Sequence, residues 1–312
     1  MNSIIVAFNI VAPLFLLMAL GYIIKLTKIM SETTANQVNS AIFKIFLPAL
    51  VFLNIYNSDL KSSFNPSLLI FAVCAGIIQF FIALAVVLIS EKDNSKRGVM
   101  LQGMFRSNFV LFGIPITSAL YGNEAAGIAS ILVSIVIPMF NILAVISLET
   151  FNGGKLSIKK TLLGIIKNPL IIASVSGIIF LLLGIKLPAF LHTTVSNISQ
   201  IATPLAFIIL GITFNFADIK KYIRNVSLTL LMKLIVFPVI FITAAILLGF
   251  SGAPLVVLLT VFAAPVAVSS FSMAQQMGGD EKLAAQIVIF STLFSIFTMF
   301  IMIFTLMELA FI

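Results

Sequence analysis

The sequence predicts an all-α integral membrane protein of ten transmembrane helices, arranged as two inverted five-helix repeats with interrupted fourth and ninth segments. Three observations carry that fold class. Hydrophobic residues make up 61% of the 312 and charged residues only 9%, against about 45–50% and about 25% in soluble domains. The chain also echoes itself at a nearly fixed distance. Pro13-Leu14 recurs as Pro169-Leu170, Gly21 as Gly177 and Pro48 as Pro204, each 156 residues on, and Gly122-Asn123-Glu124 recurs as Gly279-Asp280-Glu281, 157 on. Third, the basic residues crowd into alternate connections between apolar segments.

Apolar segments of spanning length run over 4–26, 38–57, 67–90, 99–121, 125–148, 163–185, 196–216, 226–249, 254–277 and 284–311. The first lacks a basic leader and is too long for a cleaved signal core, so it reads as a span. Asn57-Ser58-Asp59, Glu91 to Arg97, Asn152-Gly153-Gly154 and Ala217 to Arg224 read as polar connections. Residues 1–150 form the first five-helix repeat and 151–312 the second. Cys74 is the single cysteine, which excludes an intrachain disulfide.

Orientation follows from Lys and Arg. With the N-terminus outside, the inside connections hold Lys25, Lys28, Lys92, Lys96, Arg97, Lys155, Lys159, Lys160, Lys167, Lys220, Lys221, Arg224 and Lys282, thirteen in all. Outside lie only Lys61 and Lys186. Both termini are therefore expected to be extracytoplasmic, in a multi-pass plasma-membrane protein. Five spans per repeat turn the second repeat upside down relative to the first. The net charge of +8 belongs to this asymmetry and gives no reason to expect a nucleic-acid partner.

The fourth segment reads Phe105-Arg106-Ser107-Asn108-Phe109-Val110-Leu111-Phe112-Gly113-Ile114-Pro115, and the ninth Ala263-Ala264-Pro265-Val266-Ala267-Val268-Ser269-Ser270-Phe271-Ser272. A proline removes one backbone donor and clashes with the carbonyl a turn earlier, freeing polar groups that hydrocarbon cannot satisfy. A single proline in a span is ordinarily a kink, and Pro138 and Pro238 are read so. Here interruption, amide or hydroxyl side chains and matching repeat position coincide. Half-helix N-termini aimed at the bilayer middle suit a carboxylate.

The motif Arg106-Ser107-Asn108-Phe109…Gly113-Ile114-Pro115, with Leu20-Gly21-Tyr22, Leu47-Pro48-Ala49-Leu50, Asn168-Pro169 and Ala274-Gln275-Gln276…Gly278-Gly279-Asp280, resembles the auxin efflux carrier family over essentially the whole chain. The resemblance implies a fold similar to bile-acid and sodium/proton transporters, with helices 4 and 9 crossing at the substrate site. Segments 1, 2, 6 and 7 would be the scaffold, and 3–5 with 8–10 a transport domain moving like an elevator. The implied substrates are organic anions such as malate, malonate or auxin-like carboxylates. Asn108 would offer an amide near the crossing, Pro115 and Pro265 would hold unwound backbone, and Asn141 would face the same cavity. Gly113, Ser269, Ser270 and Gln275 are further candidates for substrate binding, and a homodimer is implied by the resemblance alone.

Arg106, Lys233 and Lys44 lie inside spans. Snorkelling to the headgroups is the expectation for Lys44, and snorkelling or a structural role for Lys233. Arg106 sits two residues, about 200° of an ideal helix, from Asn108, so both face one cavity only if the helix unwinds. Arg106 then either attracts the anion or caps freed carbonyls. No Asp or Glu lies at mid-span, so a relay through buried carboxylates is not expected; coupling to a proton or to sodium, or to neither, stays open. The Gly122 and Gly279 clusters read as helix caps. No metal-ligand cluster, nucleotide loop or nucleophile motif is present, so neither an enzyme nor a cofactor is expected. The leading function is a secondary transporter of small organic anions. The alternatives are a sodium-coupled symporter of a larger amphipathic anion and a non-transporting membrane receptor.

Overall fold

The structure, a computed structural model, describes residues 2–58, 65–152 and 158–312, and side chains within these except at 2–8, 10, 123–126 and 158–160. Lys61 and Lys155 fall outside the described residues, as do the side chains of Glu124, Lys159 and Lys160.

Every element is helical among the described residues. In order they are α1 (Asn2–Leu26), α2 (Glu32–Tyr56), α3 (Pro66–Ser90), α4 (Asn94–Phe105), α5 (Phe109–Phe151), α6 (Ile158–Lys167), α7 (Pro169–Leu183), α8 (Ala189–Thr213), α9 (Asp218–Leu247), α10 (Gly252–Ala263), α11 (Ser269–Gln276) and α12 (Glu281–Glu308). Among the described residues seven helical stretches are long and apolar enough to cross a membrane, one of them, Asn94–Gly122, joining α4 to the first arm of α5, or eight when α6 and α7, bent by 58° at Asn168, count as one span. Two shorter apolar helices, Val11–Leu26 and Gly252–Ala263, add to these.

The ends of the helices follow local chemistry. Asn65 accepts from the Leu68 amide at 3.1 Å and Asn168 from the Leu170 amide at 2.9 Å, each followed by a proline in the first helical turn. A side-chain oxygen there satisfies a donor the helix leaves free, and proline has none to lose. Asp280 caps α12 through the Leu283 amide at 3.0 Å, the capping expected of that cluster. It is the preceding Gly278, at φ +75°, that takes the left-handed turn. Gly122, at φ 79° and ψ −178°, divides α5 into two arms, which ends the fourth segment and starts the fifth. α2 and α9 each contain a π turn, Ile42–Phe46 and Met232–Val236.

The internal echo is a packing relation. α1 lies along α8, and α7 along α2. A Cβ placed on Gly21 would meet the Ile208 carbonyl oxygen at 2.0 Å, and one on Gly177 would meet the Phe52 carbonyl oxygen at 3.1 Å. Ile208 and Phe52 are themselves 156 residues apart, so equivalent glycines meet equivalent carbonyls. Gly211 does the same from the α8 side, against the Met18 carbonyl at 2.1 Å. Helices that cross this closely trade side-chain volume for backbone contact, as small residues allow in membranes.

Between α3 and α4, Glu91 accepts hydrogen bonds from the Lys92 and Asp93 amides at 2.7 and 2.9 Å and from Asn225 on α9. Desolvation pushes this carboxyl up, but those hydrogen bonds and the Lys96 charge outweigh it and hold it below the ordinary value of 4.5. A depressed carboxyl stabilises the fold above its unfolded pKa and loses that contribution as pH falls through the folded one. The melting temperature of detergent-solubilised protein should therefore drop more steeply below about pH 4.5 than that of Glu91→Gln, whose own melting temperature at pH 7 is lower.

Candidate functional site

The two interruptions meet. α4 ends at Phe105 and α5 restarts at Phe109, so residues 106–108 run free of helix; α10 ends at Ala263 and α11 begins at Ser269. The Asn108 amide donates to the Pro265 carbonyl at 2.7 Å, linking the two breaks through their backbones. Ser107 Oγ donates to the Thr260 carbonyl at 3.3 Å, Gln102 to the Ser270 carbonyl at 3.0 Å, and the Val266 amide to Ser291 Oγ at 3.1 Å. Groups released by unwinding are thus re-partnered, three of these bonds crossing between the halves and the Val266 bond staying within the second, as an apolar surrounding requires.

A cavity of about 90 Å³ opens at this junction. Arg106, Ser107 and Asn108 line it from the first break, Ser269 from the second, Asn141 from the far arm of α5, and Asn54 of α2 with Thr203 of α8 from the opposite wall. Arg106 is 4% exposed. Its guanidinium donates to Asn141 Oδ1 at 2.7 Å and contacts Met273 Sδ, and Asn141 reaches Ser174 Oγ at 3.4 Å. Neither of the ion pairs among the described residues, Lys96–Asp93 and Lys282–Asp218, involves Arg106. The cavity therefore carries a cation held by neutral dipoles, in a setting where an unpaired charge is costly. Asn108 Nδ2 is buried with no hydrogen-bond partner among the described residues. A buried donor left open beside an unneutralised cation is chemically complementary to a carboxylate.

Of the residues singled out in the sequence, Arg106, Asn108, Asn141 and Ser269 come together on this cavity. Pro265 stands in the unwound stretch and presents its carbonyl to Asn108. The other four lie off the cavity lining. Pro115 does not hold unwound backbone: α5 continues through it and its ring is exposed. The break falls earlier because Asn108 and the backbone of Pro265 satisfy each other there. A Cβ on Gly113 would run into the Phe109 ring, which occupies that space. Ser270 is buried behind the lining. Gln275 hydrogen-bonds Asn39 and Asn36 of α2 and Glu281, a polar clasp between α11 and α2 that Ser272 joins by donating to Asn39 Oδ1 at 2.6 Å. Lys44 is exposed, as snorkelling requires. Lys233 is not: it is fully buried and its Nζ donates to the Phe262 carbonyl at 3.1 Å. Snorkelling fails there because the side chain points into the helix packing, where a freed carbonyl awaits it.

Asn54 and Thr203 escaped the sequence reading. Thr203 precedes Pro204, one of the echoed prolines, and Asn54 is a lone amide within an apolar stretch, but neither lies in an interrupted segment.

A family model described as "Membrane transport protein" matches residues 6–158 and again 154–303, one match for each half. The chain is 25% identical over 288 residues to an uncharacterized transporter of Methanothermobacter thermautotrophicus, covering 92% of this chain and 94% of that protein. It is 25% identical over 300 residues to an uncharacterized transporter of Methanocaldococcus jannaschii, covering 92% and 95%. A Rhizobium meliloti protein provisionally named a malonate transporter is 22% identical over 298 residues, covering 93% of this chain and 92% of its own length.

Proposed function

We propose, given that this chain belongs to the membrane transport protein family, the auxin efflux carrier family, that it is a secondary transporter of short organic anions with the site at the junction of the two breaks. The observation that carries this reading is the buried Arg106, with no carboxylate partner among the described residues, on the same cavity as the Asn108 Nδ2 that is open among them. A carboxylate oxygen in the cavity would take both. The volume of about 90 Å³ suits a short acid; pockets for drug-sized ligands run from about 300 Å³. That favours malonate-like substrates, in keeping with the name of the Rhizobium relative, over a larger amphipathic anion.

In this reading the chain has ten spans in two inverted repeats, 1–150 and 151–312. α4 with the first arm of α5 makes the fourth span, and α10 with α11 the ninth, crossing at Asn108 and Pro265. The transport domain comprises α3 to α5 and α9 to α12; α1, α2, α6, α7 and α8 make the scaffold. The walls of the cavity fit this division, since Asn54 and Thr203 come from the scaffold and the other polar residues from the moving part. An elevator step would slide the breaks and the bound anion past Asn54 and Thr203. The Asn39–Gln275–Ser272 clasp between α2 and α11 would open in that step.

Two experiments test this. Counterflow of labelled malonate, malate and an aromatic carboxylate in proteoliposomes, with sodium and proton gradients imposed in turn, should give accumulation of at least one short acid; flux of none of them removes the reading. Single-cysteine labelling on a Cys74→Ser background should place position 310 and position 61 outside and position 221 inside, and an inside C-terminus would contradict the inverted repeats.

A further inference from the structure

The two half-helices that end at the junction are capped in the same way by side chains of different charge. Helix α4 ends at Phe105, and its Met104 carbonyl accepts from Gln79 Nε2 on α3 at 3.0 Å. Helix α10 ends at Ala263, and its Phe262 carbonyl accepts from Lys233 Nζ on α9 at 3.1 Å. Gln79 and Lys233 are both fully buried, and each sits on the helix preceding the half-helix it caps. One repeat uses an amide at this place and the other a lysine.

The end of a half-helix carries negative partial charge on its free carbonyls. In transporters with discontinuous helices, such ends and the unwound carbonyls beside them are where coupling cations are bound. At the end of α10 the Nζ of Lys233 already stands at hydrogen-bond distance from such a carbonyl. No ion pair among the described residues includes it, and the partner of its Nζ is a backbone carbonyl, the kind of ligand a bound metal cation would take there. The π turn Met232–Val236 contains Lys233, and π turns of this kind collect at functional positions.

We infer that Lys233 is a tethered cation at the C-terminal end of the α10 half-helix, standing where a coupling cation would otherwise bind, so that substrate movement is independent of sodium. The inference rests on the transport reading above, and one of its two tests does not require flux. Lys233 acts as a positioning residue: it holds the end of α10, and through it the Pro265 backbone that meets Asn108.

The flux test compares wild type, Lys233→Arg and Lys233→Gln in malonate counterflow. Glutamine can reproduce the capping hydrogen bond, as Gln79 does, but not the charge. Flux should fall about tenfold or more in Lys233→Gln, the scale set by a well-placed cation at a helix C-terminus, and should be largely kept in Lys233→Arg. Lys233→Gln flux equal to wild type, with both folded, overturns the inference, and so does wild-type flux that needs sodium. The second test reads thermal stability of purified protein in detergent. Lys233→Ala should be stabilised saturably by methylammonium or sodium chloride and not by tetramethylammonium chloride, while wild type responds to none. A sodium-stabilised wild type, or a Lys233→Ala protein indifferent to all three salts, also overturns it. If Lys233→Ala does not fold, the wild-type sodium response and the Lys233→Gln protein decide. Absence of malonate flux in wild type bears on the proposed function alone, and the stability arm then decides the cation site.

Discussion

Arg106→Gln should raise the apparent KM for a short carboxylate by roughly ten- to a hundredfold while leaving the protein folded. Hydrogen bonds to a charged partner contribute about 1.5–3 kcal/mol, and each 1.4 kcal/mol is about tenfold in affinity. Among the described residues the guanidinium is the single cation on the cavity lining, and its partners are an amide oxygen and a thioether, so no other lining group among them replaces its charge. Folding should survive because a buried cation without an anionic partner is no asset to the empty protein; its removal relieves desolvation. Asn108→Ala should act on the same constant in the same direction. Uptake at graded malonate concentrations measures both. Unchanged KM in Arg106→Gln would assign the residue to holding Asn141 and Met273 rather than to recognition.

The second large effect concerns the scaffold. Gly211→Ala and Gly21→Ala should each abolish or sharply reduce the yield of monodisperse protein. Their new methyl groups would lie 2.1 Å from the Met18 oxygen and 2.0 Å from the Ile208 oxygen. Both obstacles are backbone, which cannot rotate aside, so α1 and α8 must separate along their shared length. Overpacking a tight core costs about 1–3 kcal/mol and sometimes more; here the opened crossing also forfeits contacts of its neighbours. Gly249→Ala is the control, with nothing within 4 Å of its Cβ and only its φ of +87° to resist substitution, about 1–2 kcal/mol. Size-exclusion profiles after detergent extraction should rank Gly249→Ala above both crossing variants.

These two effects mark what the sequence could and could not reveal. The long apolar helices, the two-part echo and the paired interruptions were legible because membrane helices need long apolar runs and because the echo repeats rare residues. Gly21 and Gly177 stood out for that reason, and their meeting with Ile208 and Phe52 explains why glycine is needed at both. The place of the first break was less legible. Pro115 is the louder signal, yet α5 runs through it, because a helix can satisfy a proline locally whereas the Asn108 to Pro265 hydrogen bond needs a partner 157 residues away. Gln275 misled for a similar reason: a polar residue beside an interrupted segment can face another helix instead of the cavity. Lys233 was legible only as snorkelling or structural, since a long basic side chain inside a span usually reaches for the headgroups, and only tertiary packing shows that a helix end lies nearer. Asn54 and Thr203 come from helices with no interruption at all.

The claim at the centre is that a short carboxylate occupies the cavity between the breaks. Ser269→Cys on the Cys74→Ser background places one thiol on that cavity, and its maleimide labelling rate in proteoliposomes, with and without malonate, tests the claim directly. The expected result is labelling slowed by malonate at concentrations near its apparent KM, with chloride without effect. Labelling that proceeds at the same rate at saturating malonate, in protein that still transports it, would place the substrate elsewhere.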